Sequence, residues 1–220
     1  MPSKFICVDM DNYKKTFQTW DKVASIYGDK FMDMDLYNDT YDIFCQLVKI
    51  TNPTIFEIGC GPGNITKYMS GKRPDFKIEA IDTSPNMIEL AKKNNPAALF
   101  TVMDCREIDK LMSTFDGVVC GFCMPYLSKG DCIKLIKDCS TLLNSAGLFY
   151  FSVIENDYNK SSFETSSDGQ HTMFIYYHQE DYLMLALKEN NFEILELIRK
   201  NYLKNDGTAQ LNLIVIAKKK

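Results

Sequence analysis

The chain has 220 residues, 45% hydrophobic and 25% charged, with 11 Gly, 7 Pro and a formal net charge of -4. These proportions exclude a disordered chain or a fibrous repeat, and the length suffices for one generous domain that buries roughly 70% of its unfolded surface. The acidic balance argues against a protein devoted to a polyanion, because nucleic-acid binders carry a basic excess that displaces counterions.

Eight cysteines include Cys7 and Cys139 at the extremes and sit in apolar segments, a usage that fits reduced core thiols better than a disulfide framework. The first residues hold no apolar run of signal-peptide length, and nowhere do 18 uncharged apolar residues follow one another. A cytoplasmic protein without membrane association is expected.

In chain order, apolar and aromatic residues from Phe17 to Lys49 recur at helical spacing, predicting two helices broken near 28–33. Thr54 to Ile58 reads as a buried strand ending in glycines, followed by a helix over Ile65 to Ser70. The unit repeats as a strand at Lys77 to Ile81 and a helix opened by Ser84-Pro85, a cap residue before proline at the first helical position. Further strands are expected at Ala98 to Met103 and Gly117 to Cys120. A helix capped by Asp131 and stopped near Gly147 follows, then a strand from Leu148 to Ile154. Such alternation predicts a mostly parallel sheet covered on both faces, an α/β doubly wound arrangement.

The last third changes character. Glu155 to Gln170 is polar, Met173 to Tyr177 fits an extra strand, and Glu180 to Asn190 fits a helix. Two strand-like runs, Phe192 to Leu203 and Ala209 to Ala217, flank Asn205-Asp206-Gly207, a strong hairpin signal. The expected organisation is therefore a single domain over 1–220: a helical cap over 1–50, and a core over 51–220 with an insertion near 155–178. The closing lysines read as a solvated tail.

The most informative stretch is Glu57-Ile58-Gly59-Cys60-Gly61-Pro62-Gly63. Alternate glycines after a buried strand let the backbone turn sharply and approach a ligand, while the next helix aims its N-terminus at the same place. Asp82, at the end of the second strand, stands where a carboxylate can accept from both hydroxyls of a ribose; it could also cap the Ser84-Pro85 helix. The spacing G-x-G-x-G departs from the G-x-G-x-x-G of dinucleotide sites.

With Glu57 ahead of the glycines, the sequence resembles the class I S-adenosylmethionine-dependent methyltransferases, whose fold is Rossmann-like. Four stretches carry the resemblance in order: Glu57 to Gly63, Ile81-Asp82 with Met87, Met103-Asp104-Cys105, and Phe115 to Cys120. The resemblance implies S-adenosylmethionine as cofactor and S-adenosylhomocysteine as product. It implies that Gly59, Cys60 and Gly61 lie against the methionine part, that Asp82 takes the ribose hydroxyls, and that Thr83 and Met87 flank adenine. Asp104 and the Cys105 N–H would meet the adenine edge, Cys120 and Gly121 would face the sulfonium, and Tyr27 would close over the amino-acid end. For Tyr27 a core aromatic, and for Asp104 a loop cap, remain the alternatives.

Methyl transfer from a sulfonium is an in-line displacement that chiefly needs alignment and exclusion of water, so no obligatory catalytic residue is required. His171 and His178, the two histidines, are weak candidates for a base, with capping as the alternative. Cys120-x-x-Cys123 lacks a second ligand pair, so no metal site is expected. The loop after the fourth strand lacks the Asn/Asp-Pro-Pro-aromatic motif of adenine or glutamine methylation. Trp20, Phe122, Tyr126 and Tyr177, with Tyr37 and Tyr176, suggest an aromatic pocket for a small acceptor, although many such residues are plain core. The rival readings are an RNA or protein methyltransferase, a non-catalytic cofactor-binding module and, more distantly, a nicotinamide-dependent oxidoreductase.

Overall fold

The computed structural model describes residues 4–165, 170–204 and 206–220, the side chains of 4–11 excepted. Three helices lead: α1 (Lys4–Lys22), α2 (Ala24–Phe31) and α3 (Asn38–Leu47). Then β1 (Thr54–Ile58), α4 (Asn64–Lys72), β2 (Lys77–Asp82), α5 (Pro85–Asn94), β3 (Leu99–Val102) and β4 (Phe115–Cys120) alternate. After α6 (Lys129–Leu142) and β5 (Leu143–Ile154), a short antiparallel pair, β6 (Ser162–Thr165) and β7 (Thr172–Ile175), stands apart from the main sheet. The chain closes with α7 (Glu180–Glu189), β8 (Phe192–Leu203) and β9 (Ala209–Lys219).

The main sheet has seven strands in the order β3-β2-β1-β4-β5-β9-β8. The first five are parallel; β9 runs antiparallel to β5 and to β8. Successive side chains of a strand point to opposite faces, and the core divides accordingly. Phe56, Val118, Phe149 and Phe151 pack with Leu135 and Ile136 of α6 and Leu183 and Leu187 of α7. Ile55, Val119, Tyr150 and Ile214 pack on the other face with Phe44 of α3, Met69 of α4 and Ile88 of α5. Two covered faces explain why β1, β4 and β5 are apolar almost throughout.

Four local expectations need correction. Three helices, rather than two, precede β1: the expected break lies between Phe31 and Asn38, and a second falls at Val23, whose ψ of 8° leaves the helical range. Gly28 lies within α2, where a side chain would meet only ordinary contact with Pro62, so it does not act as a breaker. The cap of α6 is Ser128, not Asp131: the Ser128 hydroxyl accepts from the Asp131 N–H at 3.2 Å. In return, the Asp131 carboxylate accepts from that hydroxyl at 2.9 Å. Finally, α6 ends at Leu142 rather than near Gly147, because Leu143 already pairs with Phe115 in an irregular start to β5.

Candidate active site

The strand order reverses between β1 and β4, and the crevice beyond their carboxyl ends is where open α/β sheets bind ligands. Three chain segments converge there. The first follows β1: the N–H groups of Gly59 and Cys60 donate to Ile81 O at 2.8 and 3.0 Å, tying the glycine turn to β2. Gly59 has φ 68°, and a Cβ there would come within 2.7 Å of the Cys123 Cβ. At Gly63, with φ 84°, it would strike the Asn95 amide at 2.3 Å. Only glycine fits either place.

The second segment is the end of β2. Asp82 accepts from Gly61 N–H and from Ser84 N–H, both at 2.9 Å. Burial pushes its carboxyl above the usual range, opposed by these backbone donors. Beneath the glycine turn lies Glu57, 1% exposed. One of its oxygens accepts from the Thr66 hydroxyl, while the other has no partner. Desolvation raises its pKa to about 8.

The third segment follows β4. Gly121 lies against Ile65, whose Cδ1 would have to shift from 2.3 Å to admit a Cβ. Phe122 adopts φ 58°, a left-handed conformation unfavourable for a bulky residue. Its N–H donates to the hydroxyl of Ser152, buried on β5, at 2.8 Å. Two residues on, Met124 O accepts from His178 Nε2 at 3.0 Å. His178 is 0% exposed, its Nδ1 faces the Tyr182 hydroxyl, and burial lowers its pKa to about 4. It is a neutral strut behind the loop. That position contradicts its candidacy as a base, since it lines neither cavity.

Two cavities adjoin these segments. A cleft of about 90 Å³ over the glycine turn is lined by eight expected cofactor contacts: Tyr27, Gly59, Gly61, Asp82, Thr83, Met87, Cys105 and Gly121. A larger cavity of about 630 Å³ lies between α2, α3, α4, the β6–β7 pair and the ends of β8 and β9. Both cavities are bordered by Trp20, Tyr27, Phe122 and Tyr126. Trp20 makes edge contacts with Tyr27 at 5.2 Å and Tyr126 at 5.1 Å, so the rings form a throat.

Other expected residues lie elsewhere. Cys60 and Cys120 are buried, and Gly63 caps α4. The Asp104 side chain caps the following 3-10 turn and pairs with Arg106 at 2.5 Å, so it does not line the cleft. The Tyr177 hydroxyl donates to Glu164 at 2.6 Å, and Tyr177 does not line the larger cavity, whose wall is Glu164 itself. His171 lines neither cavity. Seven described cysteines are free, Cys7 having no described side chain, and no cluster among the described residues could hold a metal.

The sequence reading missed Phe17, Met103 and Cys123 in the cleft, and Phe31, Met32, Met34, Tyr202 and Gln210 in the larger cavity. Phe17 stands three residues before Trp20, a spacing that places both on one helix face and could have flagged it. Nothing local marks Tyr202 or Gln210, which arrive from the overhang of the C-terminal hairpin.

Comparison with known proteins gives a consistent picture. The sequence profile described as "Methyltransferase domain" matches residues 55–147. A putative methyltransferase, 235L, of Invertebrate iridescent virus 6 is 35% identical over 91 residues, 41% of this chain but only 34% of the viral protein. A tRNA N(3)-methylcytidine methyltransferase, trm141, of Schizosaccharomyces pombe is 23% identical over 93% of this chain and 91% of its own. Among solved structures, the N-methyltransferase NodS of Bradyrhizobium japonicum, crystallised with S-adenosyl-L-homocysteine, superposes with a TM-score of 0.70 at 15% identity. That likeness covers 93% of this chain and 98% of NodS.

Proposed function

We propose that the chain, whose residues 55–147 match a methyltransferase-domain profile, is a class I S-adenosylmethionine-dependent methyltransferase that moves the methyl group onto a small acceptor held in the 630 Å³ cavity. The observation that carries this reading is the throat of four aromatic side chains joining that cavity to the glycine cleft. A cavity of this size falls within the roughly 300–1,000 Å³ of small-molecule sites.

The residues present fit the cofactor. The unpartnered Glu57 oxygen is a buried acceptor under the glycine turn, suited to the amino group of the methionine part through the turn. Asp82 would take the ribose hydroxyls, and Thr83 and Met87 would flank the adenine, next to the Cys105 N–H. Asp104, committed to Arg106, would reach adenine only by exchanging that pair. When bound, the cofactor supplies a methyl group on a good leaving group.

What remains for this chain is alignment and exclusion of water. Trp20, Tyr27 and Tyr126 roof the throat, Phe122 is locked into its floor by Ser152, and His178 fixes the loop that carries it. Holding two reactants in line is worth roughly 7–11 kcal/mol of a barrier. Aromatic faces also favour a cationic sulfonium. We read 1–220 as one methyltransferase domain, with the leading helices as roof and the 155–178 insertion as acceptor wall.

An RNA acceptor, as named for the yeast relative, would need a basic surface to gather phosphates, and the net charge of -4 speaks against it. No helix among the described residues is long and apolar enough to cross a membrane. The test is to incubate the purified protein with methyl-labelled cofactor and a fractionated metabolite extract, with total tRNA in parallel. Label is expected in a small molecule; label in tRNA alone, or none anywhere, would overturn the proposal.

A further inference from the structure

Among the described residues, the throat between the cavities contains no group able to take a proton near neutral pH. Of its four residues, Trp20 and Phe122 carry no base. Tyr27 is pushed up to about 12 by burial and by the Asp82 charge, and burial raises Tyr126 as well, so both hydroxyls keep their protons. Among the described residues, the carboxylates lining the two cavities are already engaged. Asp82 holds two backbone N–H groups. Asp33 pairs with Lys67 at 3.1 Å. Glu164 accepts from the Tyr177 hydroxyl at 2.6 Å and from Lys204 at 2.8 Å. No histidine lines either cavity.

The charges around the acceptor cavity are unequal. Three lysines line it. Lys67 is neutralised by Asp33, and Lys72 by Asp42 at 3.1 Å. Lys30, exposed at the mouth, lies 5.0 Å from the centroid of the Phe31 ring and enters no ion pair among the described residues. With Glu164 balanced by Lys204, one positive charge is in surplus beside a wall of aromatic, methionine and amide side chains.

We propose that the acceptor brings its own ionised nucleophile, an oxyanion such as a carboxylate, on a flat apolar body. The inference rests on the methyltransferase reading above and names the substrate class of the same site. In the step it implies, an oxygen lone pair forms the new bond to the methyl carbon. The carbon–sulfur bond breaks with its pair left on sulfur; no proton moves and nothing is oxidised. A negative and a positive charge cancel, which a dry aromatic throat favours over water, whereas an ammonium acceptor would first have to lose a proton to a base the throat lacks.

Trp20, the chain's one tryptophan, borders both cavities and supplies the readout. Protein saturated with S-adenosylhomocysteine is titrated with 2-naphthoate, 2-naphthalenemethanol and 2-naphthylmethylammonium, following Trp20 fluorescence. Naphthoate is expected to bind about threefold more tightly than either relative, the worth of one surplus charge on an exposed side chain. Lys30→Gln should weaken naphthoate alone by about threefold, as befits an exposed lysine. Equal or tighter binding of the alcohol or the ammonium, no binding of any probe, or indifference to Lys30→Gln would overturn the inference. Calorimetric binding of S-adenosylhomocysteine is measured first; its absence would instead overturn the proposed function.

Discussion

Replacing Glu57 by glutamine probes the buried carboxyl under the glycine turn. The Glu57 side chain is 1% exposed and its pKa stands at about 8 against an ordinary 4.5, chiefly through desolvation. The native state therefore keeps a proton that the unfolded chain releases above pH 4.5. With the raised native value, stability is fully present below the unfolded pKa and is lost as pH climbs towards 8. One bound proton sets a slope of about 1.4 kcal/mol per pH unit between roughly pH 5 and 8, so at pH 7 the carboxyl costs about 3 kcal/mol relative to acid conditions. Glutamine mimics the neutral acid and does not titrate. Urea denaturation at pH 6, 7 and 8 should show the wild type falling by that slope relative to Glu57→Gln. Parallel stability curves for the two proteins would refute the reasoning.

Other outcomes follow from the same geometry. Asp82→Ala should weaken S-adenosylhomocysteine binding by about 1.5–3 kcal/mol by calorimetry, the worth of charge-assisted hydrogen bonds; unchanged affinity would remove Asp82 from the site. Gly59→Ala, which sets a Cβ 2.7 Å from Cys123 in a left-handed conformation, should abolish that binding, and a normal isotherm would contradict it. Ser152→Ala strands the Phe122 N–H and should cost about 1–3 kcal/mol in chemical denaturation, with the Trp20 emission shifted; an unchanged midpoint would show that the N–H finds water. His178→Ala should destabilise by a similar amount, yet the pH profile of methyl transfer should keep its shape, since a group already neutral above pH 4 contributes no limb between pH 5 and 8.

What the sequence revealed follows from how local each signal is. The glycines after β1, Glu57 before them and Asp82 at the end of β2 lie within short strand-to-helix units whose geometry is fixed by neighbouring residues, so their convergence could be read from spacing. Asp104 was legible as a residue but not as a role: only the fold shows Arg106 folding back onto its carboxylate. His178 looked like a base because imidazole titrates near neutrality, and burial behind the β4 loop reverses that reading. Ser128 and Asp131 are both plausible caps by residue type, and only the fold shows that they are reciprocal partners with Ser128 in the cap position. The acceptor cavity was the least legible part. Its walls come from α2, α3, α4, the β6–β7 pair and the overhang of β8 and β9, brought together by contacts distant in sequence.

The glycine cleft meets the larger cavity at the aromatic throat, and Gly59, Gly61, Asp82 and Met87 that line it are the parts of the site a nucleoside would fill. Calorimetric titration of the purified protein with S-adenosylhomocysteine, with NAD in a parallel run, therefore tests the central claim most directly. One molecule of S-adenosylhomocysteine bound per chain, with a shift in Trp20 emission and no heat from NAD, is the result expected. Saturable binding of NAD with none of S-adenosylhomocysteine would contradict the account.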